Sequence, residues 1–358
     1  MRPVLLNPGP VSLSEGVRRA AVKADFCHRE TEFFELQDRL RLELPRVYGL
    51  DVADWAAVML GGSGTTALEA MMTSLVPPDA RLLILENGVY GERLTRLTEI
   101  YGISHGVVQH GWKESWDFNQ IEAQLHNGEF THVAAVHHET TTGRLNPVAE
   151  LAGLCERYHV DLLLDTVSSY GAENIPFESV ALQACAITAN KCLHGITGLC
   201  VVIARVESLR NCVDPPRTLT LNLGLWADHQ GRQSTPFTPS VNAMMALDQS
   251  LIELAEDGGW KARHARYLKL ADRVARQLAA LGIEPMLPAT KSSCVLRSYR
   301  IPPGSNYQTI HDGLKQRGFI IYAGQGKLSE EMFRISTMGD ISDYDLGRLL
   351  AALESVFQ

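Results

Sequence analysis

Runs of apolar residues, each handed on to a stretch with helical spacing, constrain this chain more than anything else in it. AAVML (56–60) leads into GGSGTTALEAMMTSLV, RLLILEN (81–87) into GVYGERLTRLTEIYG, and THVAAVHHE (131–139) into PVAELAGLCERYH. VDLLLDTVSS (160–169) and LCVVIARV (199–206) complete the series. A strand that is apolar throughout has to be covered on both faces, and a helix after each strand supplies that cover. The pattern predicts an α/β fold built on a doubly wound, mainly parallel sheet.

Around this unit the chain divides into further parts. Residues 1–14 read as an extended arm punctuated by NPGP. Residues 15–47 have helical spacing, with Phe33, Leu36, Leu40 and Leu44 on one face. Between 212 and 240, Pro, Thr and Gly accumulate in what reads as a connecting loop region, and a long helix is expected from about 240 to 281. Short strands alternate with helices from 285 to 358 (SCVLRSYRI, NYQTIHDGLKQRGFIIYAG, FRISTMGD, YDLGRLLAALESVF). The expected division is an arm, 1–14, a large domain, 15–245, and a connecting helix with a small C-terminal α/β domain, 246–358.

Charge and cysteine usage narrow the function classes. The net charge of −8 and the absence of any run of five basic residues leave no stripe for nucleic acid or an anionic membrane. No apolar run approaches the roughly 18–20 residues needed to cross a bilayer, and the N-terminus lacks the h-region of a signal peptide. The seven cysteines contain no C-x-x-C pair and read as reduced packing residues. These features predict a soluble, cytoplasmic protein without nucleic-acid or membrane partners.

Three features carry chemistry. GGSGTT (61–66) lies at a strand-to-helix junction, where glycines, hydroxyls and the helix N-terminus suit an anion; a plain glycine-rich turn with an N-cap is the alternative. Asp165 closes a buried strand at the sheet edge where ligands bind in open α/β folds, or else forms a structural salt bridge there. Lys191, in ITANKCLHG (187–195), sits between apolar runs, where a charged amine is costly unless it is paired, deprotonated or covalently used. Together they match the needs of pyridoxal 5′-phosphate: a cradle for the phosphate, an anion for the pyridine nitrogen and an amine for a Schiff base. Tyr90, also near a strand end, offers an aromatic face. HHE (137–139) lacks the i, i+4 spacing of a helical metal motif, and no metal is expected.

The ordered segments LLNPGP, GGSGTTALEA, ENGVYGER, HHETTTGRLNP, DTVSSYG, TANKCLHGITG and FRISTMGD resemble those of the fold-type I, class V aminotransferases along essentially the whole chain. Within them the ETTTG and ANKC wording is most similar to the 2-aminoethylphosphonate–pyruvate transaminases. The resemblance implies that Lys191 bonds the cofactor aldehyde and later shuttles a proton, while Asp165 pairs with the ring nitrogen. It implies that Ser63, Gly64 and Thr65 hold the phosphate, that Tyr90 and Val167 flank the ring, and that Thr140 reaches the ring hydroxyl. Thr238 would reach the phosphate of a neighbouring subunit, which implies a homodimer with shared active sites. Arg334 would clamp the carboxylate of the amino acid or 2-keto acid. Two stretches depart from the pattern: Ser336 stands where glycine is expected after FRI, and DFCHRE (25–30) looks more like the glyoxylate-type relatives. His28 and Arg29 are therefore further substrate-binding candidates, a helix-entry turn with solvated charges being the alternative, and Arg232, near Thr238, is another for an anionic group entering from the partner subunit. A serine– or alanine–glyoxylate aminotransferase, or a lyase using the same cofactor on a related aminophosphonate, are the alternative activities.

Overall fold

A computed structural model describes residues 2–358. Its centre is a seven-stranded sheet of β1 (Trp55–Gly62), β2 (Leu82–Glu86), β3 (His105–Gln109), β4 (His132–Val136), β5 (Asp161–Asp165), β6 (Leu182–Thr188) and β7 (Gly198–Arg205), in the order β1-β7-β6-β5-β4-β2-β3. Only β7 is reversed, pairing antiparallel with both β1 and β6. The other pairings are parallel, as the covered apolar strands predict. Alternate residues feed two cores: Ala57, Met59, Leu83 and Leu85 face one, Val58, Leu60, Leu82 and Ile84 the other. The first core is closed by Phe33, Leu36, Leu40 and Leu44 from the helix Thr31–Arg46, the face read from the sequence.

Two expected helices are each divided. Residues 15–47 form the helices Glu15–Ala21 and Thr31–Arg46, because the intervening stretch offers no apolar stripe to bury; Val22 is 81% exposed. The expected 240–281 helix is instead Val241–Glu256 followed by Gly259–Ala280. Between them Gly258 (φ 93°) and Gly259 (φ 77°) take left-handed conformations that disfavour side chains with a Cβ. The C-terminal part adds a small antiparallel sheet of β8 (Leu296–Arg300), β9 (Tyr322–Ala323) and β10 (Met332–Ser336), in the order β8-β10-β9. The N-terminal arm joins this region, with Val4–Leu5 parallel to Phe319–Ile320 and Ser12 bridged to Gly339. All seven cysteines are free.

A buried carboxylate ties three parts of the chain together. Glu173, in the loop after β5, accepts hydrogen bonds from Ser293 Oγ, from Cys294 N (2.8 Å) and from His264 Nδ1 (3.3 Å), the last on the helix Gly259–Ala280. His264 Nδ1 also meets the Ala172 carbonyl at 2.8 Å, so that nitrogen carries its proton. Burial pushes the Glu173 carboxyl up, but the bonds from His264 and Ser293 outweigh it and hold it down at about 2. The bond to Glu173 in turn raises His264 above the ordinary histidine range. Glu173 therefore stabilises the fold above the ordinary carboxyl range and loses its contribution as pH falls through about 2, whereas the His264 contribution is lost as pH rises through its raised value. Near pH ~6 (by that linkage), Glu173→Gln is expected to cost about 2 kcal/mol, less than for a fully buried pair because the His264 side chain is 37% exposed. Urea midpoints across neutral and mildly alkaline pH check this. The gap between wild type and variant should narrow as His264 deprotonates, and a constant gap would rule out the ion pair as its source.

Candidate active site

The link from β6 to β7 crosses to an adjacent antiparallel strand, so it needs only a short loop and no helix. That loop carries Lys191 over the carboxyl edge of the sheet, and β7 then starts with Gly198 in register with Gly62 of β1, one residue before Ser63. Lys191 is half-buried and donates to the carbonyl of Pro8 in the N-terminal arm. Gly9 lies against the same side chain: a Cβ there would fall 2.6 Å from Lys191 Cδ and 3.0 Å from Nζ. Burial lowers the lysine to about 8, aided by Arg334 and Arg93 and opposed by Cys192 and Asp165.

Asp165 ends β5 and is buried, with its Oδ1 accepting from Val167 N at 2.9 Å. Burial raises its carboxyl to about 6 against the pull of Val167 N–H, Arg93 and Lys191. Ser63 is the N-cap of the helix Gly64–Leu75, and its backbone N donates to Thr66 Oγ1 at 3.1 Å. Gly64 packs on Val167, whose methyl carbons would lie 2.6 and 2.7 Å from a Cβ at that position. The helix terminus is thereby drawn against the loop that follows Asp165, so Ser63–Thr65 and the strand-end carboxylate adjoin.

Tyr90 and Arg93 occupy successive turns of the helix Val89–Tyr101. The Arg93 guanidinium lies over the Tyr90 ring, 4.7 Å from its centroid, and Nη1 donates to Thr65 Oγ1 at 3.1 Å. Across the site, buried Arg334 on β10 donates from Nη1 to the Thr140 carbonyl (2.7 Å) and from Nε to the Ala323 carbonyl (2.8 Å). Glu139 is buried below the start of the Tyr90 helix, accepting from Thr141 Oγ1 (2.6 Å) and Gly91 N (3.3 Å). Burial raises Glu139 to about 7. The neighbouring His137 and His138 are lowered to about 4 by burial, and His138 Nε2 has no hydrogen-bond partner among the described residues.

The aminotransferase class-V family model matches residues 37–325. The chain belongs to the class-V aminotransferases. The 2-aminoethylphosphonate–pyruvate transaminase of Phocaeicola vulgatus is 33% identical to it, over 99% of both chains. The protein of the same name from Aeromonas hydrophila is 35% identical, over 98% of this chain and 94% of its own. Among solved structures, an alanine–glyoxylate aminotransferase from Nostoc sp. superimposes with a TM-score of 0.92 at 23% identity, covering 100% of this chain and 96% of its own. A Thermus thermophilus aspartate aminotransferase gives 0.90 at 23% identity, covering 99% of both chains. The fold is thus the fold-type I architecture.

In this class-V aminotransferase, Lys191, Asp165, Ser63, Gly64, Thr65, Tyr90, Thr140, Val167 and Arg334 are linked through shared contacts and fields around one sheet edge. Their donor set fits a phosphorylated aldehyde with a basic ring: a lowered amine, a carboxyl that a cationic ring would re-ionise, and a glycine-bearing helix terminus. His28, Arg29, Arg232 and Thr238 are not bonded to that group among the described residues. Arg29 and Thr238 are exposed, and Arg232 pairs with Asp228 one helical turn away. Sequence reasoning missed Arg93, though it quoted the ENGVYGER segment, and it missed Glu139 while weighing HHE only as a metal motif. The one available signal was spacing: Arg93 stands three residues after Tyr90, on the same helical face.

Two outcomes follow from the lysine geometry. Capture of pyridoxal phosphate by the cofactor-free protein should speed up about tenfold between pH ~7 and ~9 and then level off, since only the neutral amine attacks. A rate that keeps climbing toward pH ~10.5 would show an ordinary exposed lysine. Gly9→Ala should slow that capture about tenfold and cost about 1–2 kcal/mol of stability, because its φ of 108° is left-handed and its methyl meets Lys191. Stopped-flow absorbance and thermal melting read the two effects separately.

Proposed function

We propose that this chain transfers the amino group of 2-aminoethylphosphonate to pyruvate, giving phosphonoacetaldehyde and alanine, with pyridoxal 5′-phosphate as cofactor. The observation that carries this reading is its full-length similarity to transaminases of that name in several organisms, at 33–35% identity. When bound, the cofactor supplies an electron sink for the carbanion at the amino-bearing carbon. Lys191 would hold the cofactor through Nζ, and the same amine, once the donor amine has displaced it, would take the proton from the donor's amino-bearing carbon and hold it for return. An amine near 8 suits that exchange at neutral pH. Asp165 holds the ring nitrogen protonated, while Val167 and Tyr90 confine the ring. Ser63, Gly64 and Thr65 receive the phosphate at the helix terminus, and Thr140 reaches the ring hydroxyl. Arg334, held by two backbone carbonyls, meets the keto-acid carboxylate with its remaining N–H groups.

The working unit in this reading is a homodimer. Exposed Thr238 reaches the neighbouring subunit's phosphate site, Arg232 meets an anionic group entering from that subunit, and His28 and Arg29 contact substrate. A glyoxylate aminotransferase is the second reading, favoured by the DFCHRE stretch (25–30).

Visible absorption of the cofactor-loaded protein, titrated with one amino donor at a time and no keto acid, separates the two. Conversion to the pyridoxamine form by 2-aminoethylphosphonate alone is the expected result; conversion by serine or alanine instead would overturn the donor assignment. Lys191→Ala should lower kcat by about 10⁴-fold or more, and turnover at the wild-type rate would remove the lysine from the chemistry.

A further inference from the structure

Arg93 has no carboxylate within ion-pair distance among the described residues, although it is half-buried beside a reacting group. Its neighbours leave it directed rather than paired. Nη1 is fixed by Thr65 Oγ1 at 3.1 Å, and the guanidinium plane is supported by Tyr90 at 4.7 Å. Nε and Nη2 have no hydrogen-bond partner among the described residues. That edge presents two parallel N–H groups, the fork that matches two oxygens of a carboxylate or a phosphorus oxyanion. The contacts place it at one wall of the site, because Thr65 belongs to the first turn of the cradle helix and Tyr90 flanks the ring position. Its charge acts on both Asp165 and Lys191. Arg334, by contrast, has Nε and Nη1 tied to carbonyls. Two guanidiniums of different freedom therefore act on one lysine.

We infer that Arg93 is an oxyanion-binding residue of this site, whose open Nε–Nη2 edge takes a tetrahedral phosphorus oxyanion. Two sources share that chemistry: the phosphonate of the amino donor, which rests on the proposed function, and the phosphate of the cofactor, which does not. Thr65 is the hinge of the assignment, since its hydroxyl touches Arg93 and stands in the cradle turn. The Tyr90 ring stiffens the guanidinium, so binding costs little side-chain entropy.

The test uses Arg93→Gln, which removes the charge, and Arg93→Lys, which keeps the charge but loses the fork. The cofactor-loaded protein is titrated with methylphosphonate and with acetate, following the visible band. The cofactor-free protein is titrated with pyridoxal phosphate and with pyridoxal. If the substrate phosphonate is the ligand, Arg93→Gln weakens methylphosphonate at least about tenfold, ~1.4 kcal/mol, and leaves acetate and pyridoxal phosphate unchanged. If the cofactor phosphate is the ligand, pyridoxal phosphate weakens by that factor while pyridoxal does not. Arg93→Lys should recover only part of either loss, because a point charge does not replace a fork. Changes below about twofold in both titrations overturn the inference. These readouts measure binding and not turnover, so a wild-type protein that fails to transaminate 2-aminoethylphosphonate would sink the proposed function and leave the Arg93 test standing.

Discussion

The reversal of one strand governs the site. Parallel neighbours need a crossover of a dozen residues or more, and that crossover carries the chain away from the carboxyl edge before it returns. β7 runs against β6, so the chain turns back within residues 189–197 and stays on that edge. Lys191 is carried there on a loop tied at both ends by sheet hydrogen bonds, with Ala189 N also bonded to Leu199 O and Gly195 N to Ala189 O. The same reversal lays β7 beside β1, which ends in the cradle. A crossover helix in this place would move the amine and the cradle apart.

Burial then shapes the charges that meet there. Taking an ammonium out of water favours the neutral amine, and taking a carboxylate out favours the acid. Lys191 at about 8, Asp165 at about 6 and Glu139 at about 7 all show the same desolvation cost from opposite signs. Arg334 and Arg93 help to hold the lysine below its ordinary value. A charged ligand placed against such groups would change their protonation: a cation beside Asp165 would favour the carboxylate, and an anion beside either guanidinium would raise the lysine.

The legible part of the sequence was what periodicity encodes. The apolar strands, the Phe33–Leu44 stripe, the strand-end aspartate and the apolar-flanked lysine all follow from local pattern. β3 was missed because HGVVQ is a half-exposed edge strand, too short and polar to stand out. The reversal of β7 leaves no mark in its own residues, since a fully buried strand reads the same in either direction. The helix break at Gly258–Gly259 was written in the sequence as adjacent glycines within DGGW, and the flanking periodicity masked it. Arg93 and Glu139 could not be separated from solvated helix and strand-end charges, because what distinguishes them is where Thr65, Tyr90, Gly91 and Thr141 fall in space.

The arm shows why the small sheet matters to a lysine on the large one. Residues 4–12 pair with Phe319–Ile320, bridge to Gly339 and pass their Pro8–Gly9 turn across Lys191. Ser336 N, at the end of the arginine strand, donates to Leu6 O in the same arm at 2.7 Å. Arg334 and the segment covering Lys191 are thus joined through a single hydrogen-bonded strand end. Glu173, binding Ser293, Cys294 and His264, fixes the opposite side of that junction. A shift of β10 against the central sheet would have to move the arm with it, so the reach of Arg334 and the enclosure of Lys191 are set by one rigid connection and not independently.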